Sequence, residues 1–282
     1  VIRFGFHISI AQGFARVTAR ALERQCQTVQ IFSRNPRGWK YNALNREDCA
    51  VFVKDLAQAS IAPVFVHMPY LPNLAIPESK FHDRAADSLQ EELRRAEIIG
   101  AGYVIMHAGS SVDLKAGIRQ MISGINRVLE TVRNKVAVLI ENTAGRGNEI
   151  GHRFEHLAEI TGGIKDRSRI GITLDTAHAF QAGYDLRSKN AVDRTLKEFD
   201  RVIGFEMLEL VHFNDSRTAL GSRHDRHWHI GKGEIGKGMG YIANHPGLNG
   251  KPFIMETPRM TLSDDLMNMA AAGKFVNRRA KP

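Results

Sequence analysis

Apolar residues along this 282-residue chain fall into two alternating patterns. Short runs rich in β-branched residues, with the length of buried strands, occur at Ile2–Ile8, Thr28–Ser33, Pro63–His67, Tyr103–His107, Ala137–Glu141, Ile170–Asp175, Leu208–Asn214 and Pro252–Glu256. The stretches between them carry helical spacing: Leu89, Leu93, Ala96 and Ile99 recur every three or four residues, as do Ile118, Ile122, Ile125 and Leu129. A strand, a crossover helix and a parallel strand, repeated until eight strands are spent and without a linker or composition break, predict a single-domain (β/α)8 TIM barrel, of class α/β. The expected domain spans 1–275, followed by a basic tail over 276–282.

Six consecutive runs end in a histidine or a carboxylate. They are Val64-Phe-Val-His67, Val104-Ile-Met-His107, Val138-Leu-Ile-Glu141, Thr173-Leu-Asp175, Leu210-Val-His212 and Phe253-Ile-Met-Glu256. Any one such residue is ordinarily a hydrogen-bonded core or loop group, and Asp175 or Thr176 alone reads as a helix cap. Barrel closure, however, brings strand carboxyl ends onto one rim, where barrel enzymes place their chemistry. Two loops add to the rim: His178 follows Asp175, and Gly221-Ser-Arg-His-Asp-Arg-His-Trp-His229 supplies Asp225 and His227. Nine nitrogen and oxygen ligands without cysteine suit Zn²⁺, with Mn²⁺ or Fe²⁺ as substitutes, and exceed what one tetrahedral ion takes, so a multinuclear cluster is expected. His7 faces the same rim without an assigned metal. His224 and His229 flank the last pair of ligands with their roles open, and His82, His152, His156 and His245 read as structural.

Composition narrows the partner. Lys and Arg exceed Asp and Glu to give a net charge of +9 and a pI near 9.7, which favours an anionic partner, nucleic acid first. Cys26 and Cys49 lie far from the histidines and form no close pair, so neither a disulfide framework nor a thiolate zinc site is indicated and a reducing compartment is expected. No apolar run approaches the roughly 18 residues of a membrane span, and no signal pattern opens the chain. The expected location is cytoplasmic, or nuclear in a eukaryote.

Several blocks together resemble the endonuclease IV family of apurinic/apyrimidinic endonucleases. They run from Phe4-Gly-Phe-His-Ile-Ser9 to Ile254-Met-Glu-Thr257, through Ile140-Glu-Asn-Thr-Ala-Gly145, Leu174-Asp-Thr-Ala-His-Ala-Phe180, Ala182-Gly-Tyr-Asp185, His212-Phe-Asn-Asp-Ser216, Gly221-Ser-Arg-His-Asp-Arg-His227 and Gly231-Lys-Gly-Glu-Ile-Gly236. The resemblance implies a trinuclear zinc enzyme that incises duplex DNA 5′ to an abasic nucleotide and also trims blocked 3′ ends. It implies His67, His107 and Glu141 on one metal, Glu141 bridging to a second held by Asp175, His212 and Glu256, and a third on His178, Asp225 and His227. Glu141 and Glu256 are implied to be catalytic, with a hydroxide held between the first two metals. Arg37, Tyr70 and Leu71, in Arg34-Asn-Pro-Arg-Gly-Trp39 and His67-Met-Pro-Tyr-Leu-Pro-Asn73, are implied to enter the duplex at the lesion, and a monomer is implied. Without the resemblance, Tyr70 and Leu71 would be read as packing over the barrel mouth and Arg37 as pairing with a carboxylate. The main alternative is a sugar isomerase or epimerase of the xylose isomerase-like barrel superfamily, which uses a similar rim with one divalent metal; metal stoichiometry discriminates the two. A DNA-binding barrel without catalysis would lack a ligand, and none of the nine is missing.

Overall fold

The computed structural model describes residues 2–276. The proposed tail therefore lies, except for Val276, outside the described residues. Barrel strands form at β1 Arg3–Ile8, β2 Thr28–Ile31, β3 Val64–His67, β4 Tyr103–His107, β5 Ala137–Glu141, β6 Ile170–Asp175 and β7 Leu208–His212. After a short antiparallel ladder of β8 Asp215–Ser216 with β9 His227–Trp228, β10 Pro252–Met255 closes the parallel barrel against β1 and β7. The expected second and seventh strands are two residues shorter, because Phe32 and Ser33 turn into the following loop and Phe213 and Asn214 lead into the ladder. The outer layer consists of α1 Ala15–Glu23, α2 Arg46–Gln58, α3 Lys80–Ile98, α4 Leu114–Thr131, α5 Phe154–Gly162, α6 Thr176–Ala182, α7 Lys189–Val202, α8 Gly238–Ala243 and α9 Leu262–Phe275.

Strand alternation divides the core in two. Phe65, Ile105, Leu139, Leu210 and Ile254 form an inner plug separate from the main cluster, while their strand neighbours Val66, Val104, Met106, Val138, Ile140, Val211, Phe253 and Met255 belong to the layer shared with the helices. Both faces are thus dry over most of each strand, which is why the strands read as mainly apolar runs. The helix stripes meet this layer as their spacing predicts: Leu89, Leu93, Ala96, Ile99, Ile118, Ile125 and Leu129 are buried, with Ile122 partly so.

The period of two has a direct consequence at the rim. Each plug residue is followed, two positions on, by a polar group on the same inward face: His67, His107, Glu141, His212 and Glu256. The plug is the floor on which these side chains stand. No helix among the described residues is long and apolar enough to cross a membrane.

Leu139→Ala removes the plug residue beneath Glu141 and is expected to cost about 3 kcal/mol, read as a lower denaturant midpoint with unchanged slope. A second expectation concerns His156 in α5, whose Nδ1 accepts from the Gly151 amide at 3.3 Å. Burial, together with His152 and Arg153, pulls this imidazole down to about 4. Above the unfolded value of about 6.5 both states are neutral, whereas below it the unfolded chain takes up a proton that the folded one refuses. His156 should therefore subtract stability progressively as pH falls from about 6.5 to about 4. His156→Gln should flatten that part of the stability–pH curve relative to the parent.

Candidate metal centre

The cup above the plug collects all nine expected ligand residues. Glu141, at the end of β5, stands at its centre: Oε2 lies 3.1 Å from His67 Nε2 and 3.3 Å from His107 Nε2, and Oε1 lies 2.8 Å from His212 Nδ1 and 3.4 Å from His178 Nδ1. His212 Nδ1 also lies 3.3 Å from Glu256 Oε2 and 3.9 Å from Asp175 Oδ2. Beside them, Asp225 Oδ1 is 3.2 Å from His178 Nε2 and 3.5 Å from His227 Nε2, while Asp175 Oδ2 is 3.5 Å from the same His227 nitrogen. Three donor sets result: His67, His107 and Glu141; Glu141, Asp175, His212 and Glu256; and Asp175, His178 and His227, with Asp225 reaching the last set from the solvent side. Asp175 faces two of these sets, a sharing absent from the sequence expectation.

Asp175 also shows that its two readings are compatible. Its Oδ1 accepts the His178 amide at 2.7 Å and caps α6, leaving Oδ2 to face the cup. The same short helix thereby positions His178.

Several histidines are aimed by what their other nitrogen does. His67 Nδ1 donates to the Met68 carbonyl at 2.7 Å, His178 Nδ1 to the Asn142 carbonyl at 2.9 Å, and His227 Nδ1 to the Glu256 carbonyl at 3.2 Å. His212 inverts the arrangement, with Nε2 donating to Gln30 Oε1 at 2.7 Å. In each case the other ring nitrogen points at the carboxylates, the way metal-binding imidazoles are fixed.

The charge balance points the same way. Glu141 and Asp175 are fully buried and Glu256 is mostly so, yet among the described residues none of the cup carboxylates forms an ion pair with Lys or Arg. Burial opposes ionisation of Glu141, but His212 and His107 hold it well below the usual carboxylate range. Burial likewise works against charge on Glu256 and is outweighed by His212 and His7. Conversely, burial disfavours charged His212, while Glu256 and Glu141 raise it to about 9; His178 is carried well above the ordinary imidazole value against burial by Asp175 and Asp225. Buried carboxylates whose ion-pair partners among the described residues are imidazoles alone fit a site whose natural counter-charges are metal cations.

Further support comes from residues the sequence left unassigned. Asn142 brackets the Asp175 backbone, accepting its amide at 2.6 Å and donating to its carbonyl at 3.0 Å. Asn214 donates to Asp175 Oδ2 and accepts the Glu256 amide, both at 2.7 Å. Asp215 accepts the amides of Ser216, Gly233 and Ile235 at 2.8–3.0 Å, pinning the glycine-rich loop to the ladder that carries His227. The only signal available for Gln30 was an amide inside an otherwise apolar or β-branched run. His229 instead meets the Asn268 amide at 3.1 Å, and exposed His224 faces the Ser222 carbonyl; neither joins a donor set.

The cup opens into a cavity of about 460 Å³ lined by His7, Phe32, Tyr70 and Arg259 above the ligands. Tyr70 is 71% exposed and Leu71 46%, with the Tyr70 ring centroid 6.0 Å from that of His67 and 6.2 Å from that of His107. Arg37 is exposed on a loop clamped from beneath by Arg34, which donates to Glu92 at 2.8 Å and to the Gly38 carbonyl.

The profile of the xylose isomerase-like TIM barrel family matches residues 19–276. A protein from Halothermothrix orenii named "Probable endonuclease 4" is 41% identical over 274 residues, covering 95% of this chain and 99% of the relative. The crystal structure of endonuclease IV from Thermus thermophilus superposes with a TM-score of 0.87 at 33% identity, covering 97% of this chain and 98% of that one. A D-tagatose 3-epimerase-like protein shares the fold, with a TM-score of 0.70 at 16% identity and 97% coverage of each chain.

Asp215→Asn sets an amide donor against backbone N–H groups and is expected to cost about 1–3 kcal/mol. Limited proteolysis should show faster cleavage within residues 231–236, whereas an unchanged rate would separate Asp215 from that loop.

Proposed function

The chain belongs to the endonuclease IV family of xylose isomerase-like barrels, and from that premise we propose that it hydrolyses the phosphodiester 5′ to an abasic site in duplex DNA, using three divalent cations, zinc first. Trimming of blocked 3′ ends belongs to the same proposal, since both reactions attack a phosphate next to a damaged deoxyribose. The observation that carries the reading is the donor arithmetic of the cup: three overlapping sets share Glu141 and Asp175, more than a single-metal isomerase requires.

Bound cations would supply a nucleophile at neutral pH and offset the charge that builds on the phosphoryl oxygens. The protein's own part is placement. Glu141 spans the first two sets through its two oxygens, and Glu256, with Oε1 held by Gln30 at 2.7 Å, keeps Oε2 toward the same space and orients the attacking water. His178, Asp225 and His227 take the side of the departing 3′ oxygen. Arg37, Tyr70 and Leu71 enter the duplex, offsetting an unstacking cost of a few kcal/mol that is lowest where a base is missing. The net charge of +9 favours an anionic partner, and cations held in the cup would draw the phosphate backbone toward the mouth. The chain acts as a monomer.

The test uses the zinc-loaded chain and a duplex carrying one abasic analogue. Expected are about three zincs per chain, a single nick 5′ to the analogue, and a loss of roughly 100-fold or more in Glu256→Gln. An intact duplex, or undiminished incision by Glu256→Gln, sinks the mechanism. One manganese per chain with turnover of a ketose would move the assignment to the epimerases.

A further inference from the structure

Gln30 lies in β2 between Val29 and Ile31 and is fully buried. An amide inside a barrel wall is costly unless its hydrogen-bonding capacity is used. Here it is directed entirely at the cup. Oε1 accepts from His212 Nε2 at 2.7 Å, while Nε2 donates to Glu256 Oε1 at 2.7 Å and meets His7 Nδ1 at 2.9 Å. Parallel registry sets His7 directly beside Gln30, so the third contact follows from strand pairing.

The amide has one workable orientation. Reversing it would set the carbonyl against the Glu256 carboxylate and the NH₂ against the proton of His212. In the orientation present, one His212 proton stays on Nε2, and Nδ1 is the nitrogen that faces Glu141, Glu256 and Asp175 at 2.8, 3.3 and 3.9 Å, where a cation would replace its proton. The same amide retains Glu256 Oε1 and leaves Oε2 as the atom facing His212 Nδ1.

We propose that Gln30 is a positioning residue that couples His212 to Glu256, so that their ligand atoms are preset for one shared cation. The proposal rests on the reading that these residues hold the second metal. A residue that merely fills the barrel would be replaced by an apolar side chain of similar size with no effect on one ligand set over another.

The experiment measures zinc affinities of the full chain by chelator competition, alongside the unfolding midpoint with zinc removed and the ring ¹⁵N signals of His212. In Gln30→Met, one zinc should bind about 10–100-fold more weakly with the other two nearly unchanged. The kcat on abasic duplex should fall with it while KM holds. Gln30→Glu keeps the acceptor facing His212 but loses the donor to Glu256, so it should retain the Nε2-protonated signature that Gln30→Met loses. Three unchanged affinities in Gln30→Met, uniform weakening together with a lowered zinc-free midpoint, or identical His212 signals in both variants would each overturn the proposal. A parent chain that binds a number of zincs other than three sinks the functional reading instead.

Discussion

Negative charge gathered in the cup, with no lysine or arginine among the described residues in ion-pair range of it, is the constraint around which this structure is arranged. Glu141, Asp175, Glu256 and Asp225 converge there, and the groups in ion-pair range are imidazoles. Carboxylates so placed repel one another and lose hydration, so the barrel must hold them where something of opposite charge can sit between them. Anchoring of His67, His178 and His227 through Nδ1, and of His212 through Nε2, turns the other ring nitrogen of each toward that space. A cation entering such a site would displace the imidazole protons that face the carboxylates.

The frame that enforces this geometry is the apolar plug. Because Phe65, Ile105, Leu139, Leu210 and Ile254 fill the barrel directly below the ligands, the cup residues cannot sink or swing inward. The candidate ligands thus sit mainly on strand ends, where position is tightly held, while Arg37, Tyr70 and Leu71, the proposed duplex contacts, sit on loops. Even these loops are not free. Glu92 of α3 accepts from both Ser33 and Arg34 in a buried network, so the loop carrying Arg37 is tied to the helical layer at its root.

The fold alone does not choose between a nuclease and a sugar epimerase, since both chemistries occupy barrels of this outline. What favours the proposed nuclease is the third donor set, built from α6 and from the β8–β9 loop and ladder as well as from the end of β6. That loop depends on Asp215, whose carboxylate gathers the amides of the glycine-rich turn and so holds the β8–β9 ladder, with His227, against the rim.

The sequence by itself determined the eight-strand barrel and the inward rim of His67, His107, Glu141, Asp175, His212 and Glu256. It could do so because side-chain alternation is a local rule: residues two positions apart on a strand face the same way. Only the tertiary structure decided which groups meet. A register shift between β6 and β7 at Ile172 and Thr173 sets Asp175 level with His212, and Asp175 consequently faces two donor sets while also capping α6. The roles of Gln30 and Asn214, and the departure of His229 toward Asn268, were likewise illegible, although each side chain was in plain view. These contacts join residues tens to hundreds of positions apart, and their pairing depends on barrel closure and strand register, to which no local pattern of hydrophobic and polar residues is sensitive.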